Sequence, residues 1–169
     1  MSVEFVTERL RCHPFNQEDR PAMGDLLTNR EIARTYMLPD FDSEEAVDRL
    51  FGRYMELSRQ NGRYVAGIYL DNELIGFFND VENDGSRIEL GYVISPTHWG
   101  KGFATEMLRG AVEDLFHCGY GEVVAGAFEE NKASMRVMEK SGMTRIPLEE
   151  DIDYRGVMHH CLYYSIKKV

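Results

Sequence analysis

Apolar positions along the chain recur at two spacings, one helical and one strand-like, and their alternation predicts a mixed fold. The clearest helical run is Ala104, Met107, Leu108, Ala111, Val112, Leu115 and Phe116. These positions form one apolar face held for more than three turns. A second long helix carries Ala46, Val47, Leu50, Phe51, Tyr54, Met55 and Leu57 on its inner face, with Asp42 or Ser43 as N-cap and Gly62 as the C′ residue. Two short helices are expected at 17–27 and 31–36, around Thr28-Asn29, and Pro39 ends that section because it disfavours helix at the residue before it. Asn131 caps a last helix that runs to Lys140, with Gly142 as its stop.

Strand-like runs occupy 9–13, 64–70, 74–81, 87–94, 123–128, 143–147 and 157–166. Asp71-Asn72-Glu73 and Asn83-Asp84-Gly85 read as hairpin turns, so three antiparallel strands follow in order. The helix over 104–116 ends at His117-Cys118-Gly119. As a crossover it lets the strands at 87–94 and 123–128 lie parallel. Glu149-Glu150-Asp151 reads as an acidic loop before the last strand. The expectation is one α/β (α+β) domain over 1–169, with a mixed, mostly antiparallel sheet of about six or seven strands and helices on both faces.

Charge narrows the partners. A net charge of −10 argues against nucleic acid, which demands a basic surface. It suits a cationic acceptor, or simply solubility. Cys12, Cys118 and Cys161 show no paired or zinc-binding spacing and read as buried thiols. Neither a secretory leader nor an apolar run of roughly 18 residues is present, which predicts a cytoplasmic protein with no membrane contact.

The most informative stretch is Pro96-Thr97-His98-Trp99-Gly100-Lys101-Gly102-Phe103-Ala104-Thr105-Glu106, between a buried strand and the strongest helix. The first N–H groups of a helix have no intrahelical partner, and the aligned peptide dipoles leave partial positive charge there. Gly100 and Gly102 let a ligand approach the backbone, and Lys101 adds a charge, so the loop reads as a phosphate cradle. Phe103 after Gly102 breaks the Walker A pattern, and Thr105 stands where a dinucleotide fingerprint needs its third glycine. An ordinary strand-to-helix turn is the plain alternative.

The run Gly91-Tyr92-Val93-Ile94-x-Pro96-x-x-Trp99-Gly100-Lys101-Gly102-Phe103-Ala104-Thr105-Glu106 resembles the acetyl-CoA motif of the GCN5-related N-acetyltransferases (GNAT superfamily). More narrowly it is similar to the branch of ribosomal-protein N-terminal acetyltransferases (RimJ/RimL-like). Thr7-Glu8-Arg9-Leu10 with His13-Pro14-Phe15, Asn131-x-x-Ser134 and Glu139-Lys140-Ser141-Gly142-Met143 match in order, so the resemblance covers nearly the whole chain. Trp99, where the wider superfamily has Gln or Arg, is usual in this branch. Met138 departs from the tyrosine acid of many members.

The resemblance implies a GNAT fold and acetyl-CoA as co-substrate, with no metal. It implies that the backbone of Trp99, Gly100, Lys101, Gly102, Phe103, Ala104 and Thr105 holds the pyrophosphate. The pantetheine arm would lie in a gap between Tyr92, Val93 and Ile94 and residues 125–127. Gly91 and Gly126 would relax these strands or merely pack. Asn131 would cap its helix and touch the arm, and Ser134 would protonate the leaving thiolate or serve only as a cap. The early helices would shape the acceptor pocket.

For direct transfer the amine must lose a proton. Glu89, on the same strand face as Gly91, is the candidate base, and equally reads as an outward-facing strand residue. Asp80 is its reserve. Tyr154, in the loop before the last strand, is placed to reach the acceptor. Trp99 packs against the fold or stacks on adenine, His98 faces solvent, and neither His159 nor His160 reads as a metal ligand. The function expected is acetyl-CoA-dependent N-acetylation of a primary amine, either a protein N-terminus or a small molecule, by a monomer or homodimer. The alternatives are a non-catalytic acyl-CoA-binding module or a binder of another phosphate ligand.

Overall fold

The strand-like runs join into a single sheet with the order β1-β2-β3-β4-β5-β6-β8-β7, eight strands among the described residues. The structure is a computed structural model that describes residues 2–169. The strands are β1 Phe5–Val6, β2 Leu10–His13, β3 Ala66–Leu70, β4 Glu73–Asn83, β5 Arg87–Ile94, β6 Glu122–Phe128, β7 Thr144–Tyr154 and β8 Val157–Lys167. Every pairing is antiparallel except β5 with β6, where a helical crossover intervenes. The two-residue β1 takes the sheet beyond the expected six or seven strands.

Helices cover both faces. On one face α1 (Arg20–Leu27), α2 (Arg30–Ala33) and α3 (Glu44–Leu57) pack Met23, Leu27, Val47 and Phe51 against Phe77 and Val93 of the sheet. On the other, α4 (Phe103–His117) and α5 (Lys132–Lys140) bring Met107, Leu108, Ala111, Leu115 and Met138 onto Ile88, Leu90, Val123 and Ala125. The helical period of the apolar residues in α4 lays that stripe on the sheet. Ser43 is the N-cap of α3, its Oγ accepting the Ala46 N–H at 3.2 Å. Among the described residues no helix is long and apolar enough to cross a membrane.

Four sequence expectations are corrected. The acidic segment 149–151 is not a loop. It lies inside β7, which pairs with β8 as far as Tyr154↔Val157, and the hairpin turns at Arg155 and Gly156, both at positive φ. Charged side chains on an edge strand discourage pairing with other chains, so acids are tolerated there. Gly62 has a positive φ but is not the C′ residue of α3, which ends at Leu57 with Ser58 as C-cap. The helix expected over 31–36 is only α2, ending at Ala33. Cys118 is exposed, because it follows the last turn of α4 rather than facing the core; Cys12 and Cys161 are buried.

The hairpin of β7 and β8 is fastened to the early helical region. The Tyr154 hydroxyl donates to the Ala33 carbonyl at 2.6 Å and accepts the Leu38 N–H at 3.2 Å. Arg155 reaches the Leu38 carbonyl at 3.2 Å and Asp40 at 3.0 Å. Removing one hydroxyl leaves half-buried backbone groups without partners, which costs about 1–2 kcal/mol. Tyr154→Phe is therefore expected to lower unfolding stability by that amount in urea titrations and to speed amide exchange at Leu38.

Candidate active site

The parallel ladder between β5 and β6 stops early. Its register runs Arg87↔Glu122, Ile88↔Val123, Glu89↔Val124 and Leu90↔Ala125, although β5 continues to Ile94 and β6 to Phe128. Beyond that point each strand stays bonded on its outer side only, β5 to β4 through Gly76↔Ile94 and β6 to β8 through Phe128↔Cys161. The inner edges at Tyr92, Val93 and Ile94 and at residues 126–128 thus face a wedge-shaped gap. Backbone amides there need partners. Tyr163, opposite Gly126 in the register, packs where a Gly126 Cβ would stand, at 2.7 Å from its ring, so Gly126 is a close-approach glycine.

The cradle lies at the end of β5. Gly100 (φ 74°) and Gly102 (φ 82°) take left-handed conformations. A Cβ at Gly100 would meet nothing within 4 Å, so conformation and not crowding within the chain calls for glycine there. The first intrahelical bond of α4 runs from the Glu106 N–H to the Gly102 carbonyl at 3.0 Å, leaving the N–H groups of Phe103, Ala104 and Thr105 at the open helix end. Trp99 is half-exposed, and its indole N–H donates to the Ile94 carbonyl at 2.7 Å, anchoring the loop to β5. His98 is only half-exposed, tilted against the Phe103 ring, not free in solvent. Lys101 is exposed.

Arg9 braces this loop. Its Nε donates to Glu106 Oε2 at 2.6 Å, its Nη1 donates to the Lys101 carbonyl at 3.0 Å, and its guanidinium lies over the Phe103 ring at 4.3 Å. Glu106 Oε1 in turn accepts the Thr7 hydroxyl at 2.6 Å and the Arg9 N–H at 2.7 Å. Sequence reasoning noticed Thr7 and Arg9 only within a motif. No local pattern could link them to residues more than ninety positions away.

Asn131 is the N-cap of α5, its Oδ1 accepting the Ser134 N–H at 3.2 Å. Ser134 is therefore capped and does not itself cap. Its Oγ lies 2.8 Å from the Tyr92 hydroxyl, so side chains of β5 and α5 meet across the mouth of the gap. Burial pushes the Tyr92 phenol up to about 12, against a smaller lowering by Ser134.

Glu89 lies on the opposite face. Ile88 and Leu90 point into the α4 and α5 core, and strand alternation turns Glu89, Gly91 and Val93 toward α1–α3. A register shift in β4 between Asp80 and Glu82 sets Glu82 directly opposite Glu89. Burial first, then the charges of Glu82 and Glu150, raise the Glu89 carboxyl to about 7, with Arg87 opposing. Alternation from Phe78 puts Asp80, opposite Leu90, on the α4 side, buried, with both carboxylate oxygens on Arg63 Nε at 3.1 and 2.9 Å. Asp80 is corrected from reserve base to structural ion pair. Tyr154 ends β7 on this face, its hydroxyl committed to the backbone of residues 33–38. Tyr36 packs near Gly91 and donates to Asn79 Oδ1. His159 bonds Glu130 and stacks on Phe128, and His160 sits between Glu149 and Asp151. No group of three metal-binding side chains occurs among the described residues.

This arrangement has relatives. The family described as an acetyltransferase (GNAT) domain matches residues 9–144. YoaA of Bacillus subtilis (strain 168), described as an uncharacterized N-acetyltransferase, is 29% identical over 96% of this chain and 95% of its own length. A GNAT-family acetyltransferase from Bacillus anthracis shares the fold with a TM-score of 0.84, at 23% identity over 98% of each chain. RimL, an α-N-acetyltransferase of ribosomal protein L7/L12 solved with coenzyme A, shares it with a TM-score of 0.82, at 17% identity over 96% of each chain. With the family matched from the cradle brace at Arg9 to the start of β7, the chain belongs to the GNAT acetyltransferases and is an acetyltransferase.

Proposed function

We propose that this acetyltransferase takes acetyl from acetyl-CoA and passes it directly to a primary amine. The observation that carries the reading is the early end of the β5–β6 ladder beside a glycine-bearing helix N-terminus. Open backbone edges suit the amides of a pantetheine arm, and the α4 N–H groups suit its pyrophosphate. The thioester supplies an activated acyl group at the gap.

The chain's own residues do the rest. Arg9 and Glu106 hold the cradle in shape. Ser134, on the α5 side, offers a hydroxyl to the leaving sulfur. Glu89, on the α1–α3 side, takes the proton of the incoming amine, directly or through water. Fixing donor and acceptor together is worth roughly 7–11 kcal/mol of barrier in favourable cases. The acceptor enters from the Glu89 face, whose walls are Tyr36, Asn79 and Tyr154. Its amine belongs to a protein N-terminus, as in the RimL enzyme, or to a small molecule.

Saturating acetyl-CoA at about 100 times its Kd stabilises the folded state by roughly 2.7 kcal/mol, a midpoint rise of several degrees in a thermal melt. Gly102→Glu and Lys101→Glu, which bring negative charge to the cradle, are expected to abolish or sharply reduce that rise. An unchanged rise in both folded variants removes the reading. A non-catalytic module would show the rise but release no thiol with any amine.

Glu89→Gln is expected to lower kcat/KM by about 10²–10⁴-fold and to erase a rising limb near pH 7 in its pH profile. The base works only when deprotonated, so activity grows as pH rises through the Glu89 pKa. Glu82→Gln removes a like charge, lowers that pKa and moves the limb to lower pH, as pH–rate profiles would record.

A further inference from the structure

Tyr92 and Ser134 come from elements forty-two residues apart, and their hydroxyl oxygens lie 2.8 Å apart at the mouth of the gap. The pair sits on the face opposite Glu89, with Tyr92 packed against the α4–α5 core. The Ser134 carbonyl lies 3.5 Å from the Tyr92 hydroxyl, and the Ser134 N–H is occupied by Asn131. Met138, one turn further along α5, is fully buried and has no proton to offer.

Resting on the acetyl-CoA reading above, we propose that Tyr92 is a positioning residue for the leaving thiolate. Its phenol donates to Ser134 Oγ and so turns the serine's own hydroxyl hydrogen toward the sulfur in the gap. A hydroxyl has one hydrogen to give and lone pairs to receive. Of these two hydroxyls the phenol is the stronger acid, so it donates and the serine receives. The serine hydrogen is then left for a third group, and a hydrogen bond to an ionised acceptor is the strong kind.

The pair does not deliver a proton. Burial holds Tyr92 in its phenol form throughout the working pH range. During transfer the N–C bond forms, the C–S bond breaks and the electron pair goes to sulfur. The amine proton leaves through Glu89. The thiolate keeps the Ser134 O–H as a hydrogen-bond partner and takes its proton from solvent on release. The Ser134 hydroxyl touches the reacting sulfur, and Tyr92 acts through it.

Free coenzyme A tests this without an acceptor. Calorimetry establishes binding, and thiolate absorbance titrates the bound thiol. Ser134→Ala is expected to raise the bound thiol pKa by about one unit, the size of one hydrogen bond to a charged group. Tyr92→Phe is expected to raise it by a comparable or smaller step with coenzyme A affinity nearly unchanged. The double variant should match Ser134→Ala alone. 3-Fluorotyrosine placed at position 92 alone, a stronger donor of nearly the same size, should lower the thiol pKa below wild type and keeps the test open if Tyr92→Phe folds poorly. An unchanged thiol pKa in Tyr92→Phe or the fluorinated variant overturns the proposal, as does an additive shift in the double variant. Failure of wild type to bind coenzyme A overturns the acetyl-CoA reading itself, and the positioning role with it.

Discussion

Two parallel strands part company after Leu90 and Ala125, and much of the molecule answers to the polar groups this leaves exposed. A backbone N–H or C=O turned away from both water and a neighbour is costly, so a parting inside a sheet needs support from outside and a partner within. Outside support comes from β4 and β8, which keep the far edges of β5 and β6 fully paired. Across the mouth, the Tyr92–Ser134 contact props β5 against α5. Among the described residues, the inner edges at 92–94 and 126–128 pair with no strand of the sheet.

The sheet also divides the candidate residues between its two faces. On the α4–α5 side lie the cradle, the Asn131 cap and Ser134; on the α1–α3 side lie Glu89 and the aromatic walls. Alternation along β5 assigns Tyr92 to the first side and Glu89 to the second. A single register shift in β4 then sets Glu82 against Glu89. Alternation thus separates Glu89, raised first by burial and then by Glu82, from Asp80 on the opposite face, paired with Arg63.

Several contacts that shape the site join residues far apart in the chain. Arg9 holds the Lys101 carbonyl, and Tyr154 holds residues 33–38. The first contact ties the start of the chain to its middle, and the second ties its last hairpin to the early helices. They make the loop before α4 and the packing around Tyr154 properties of the whole fold.

The local chemistry of the chain determined a good deal by itself. Helical periodicity is a short-range property, so α3, α4 and α5 were legible, with the α5 cap at Asn131 and the α3 cap narrowed to Asp42 or Ser43, of which the structure uses Ser43. The glycines of the cradle were legible as residue types, while their positive φ values came only with the fold. The β5–β6 crossover followed from chain connectivity. Tertiary structure alone decided where the ladder stops, that Asp80 is paired, that the acidic segment is strand, that Arg9 bonds the Lys101 carbonyl and that Tyr92 meets Ser134. The reason is physical: register, burial and ion pairing depend on which distant backbone lies alongside. Sequence spacing carries the period of an element, but not the identity of its neighbour.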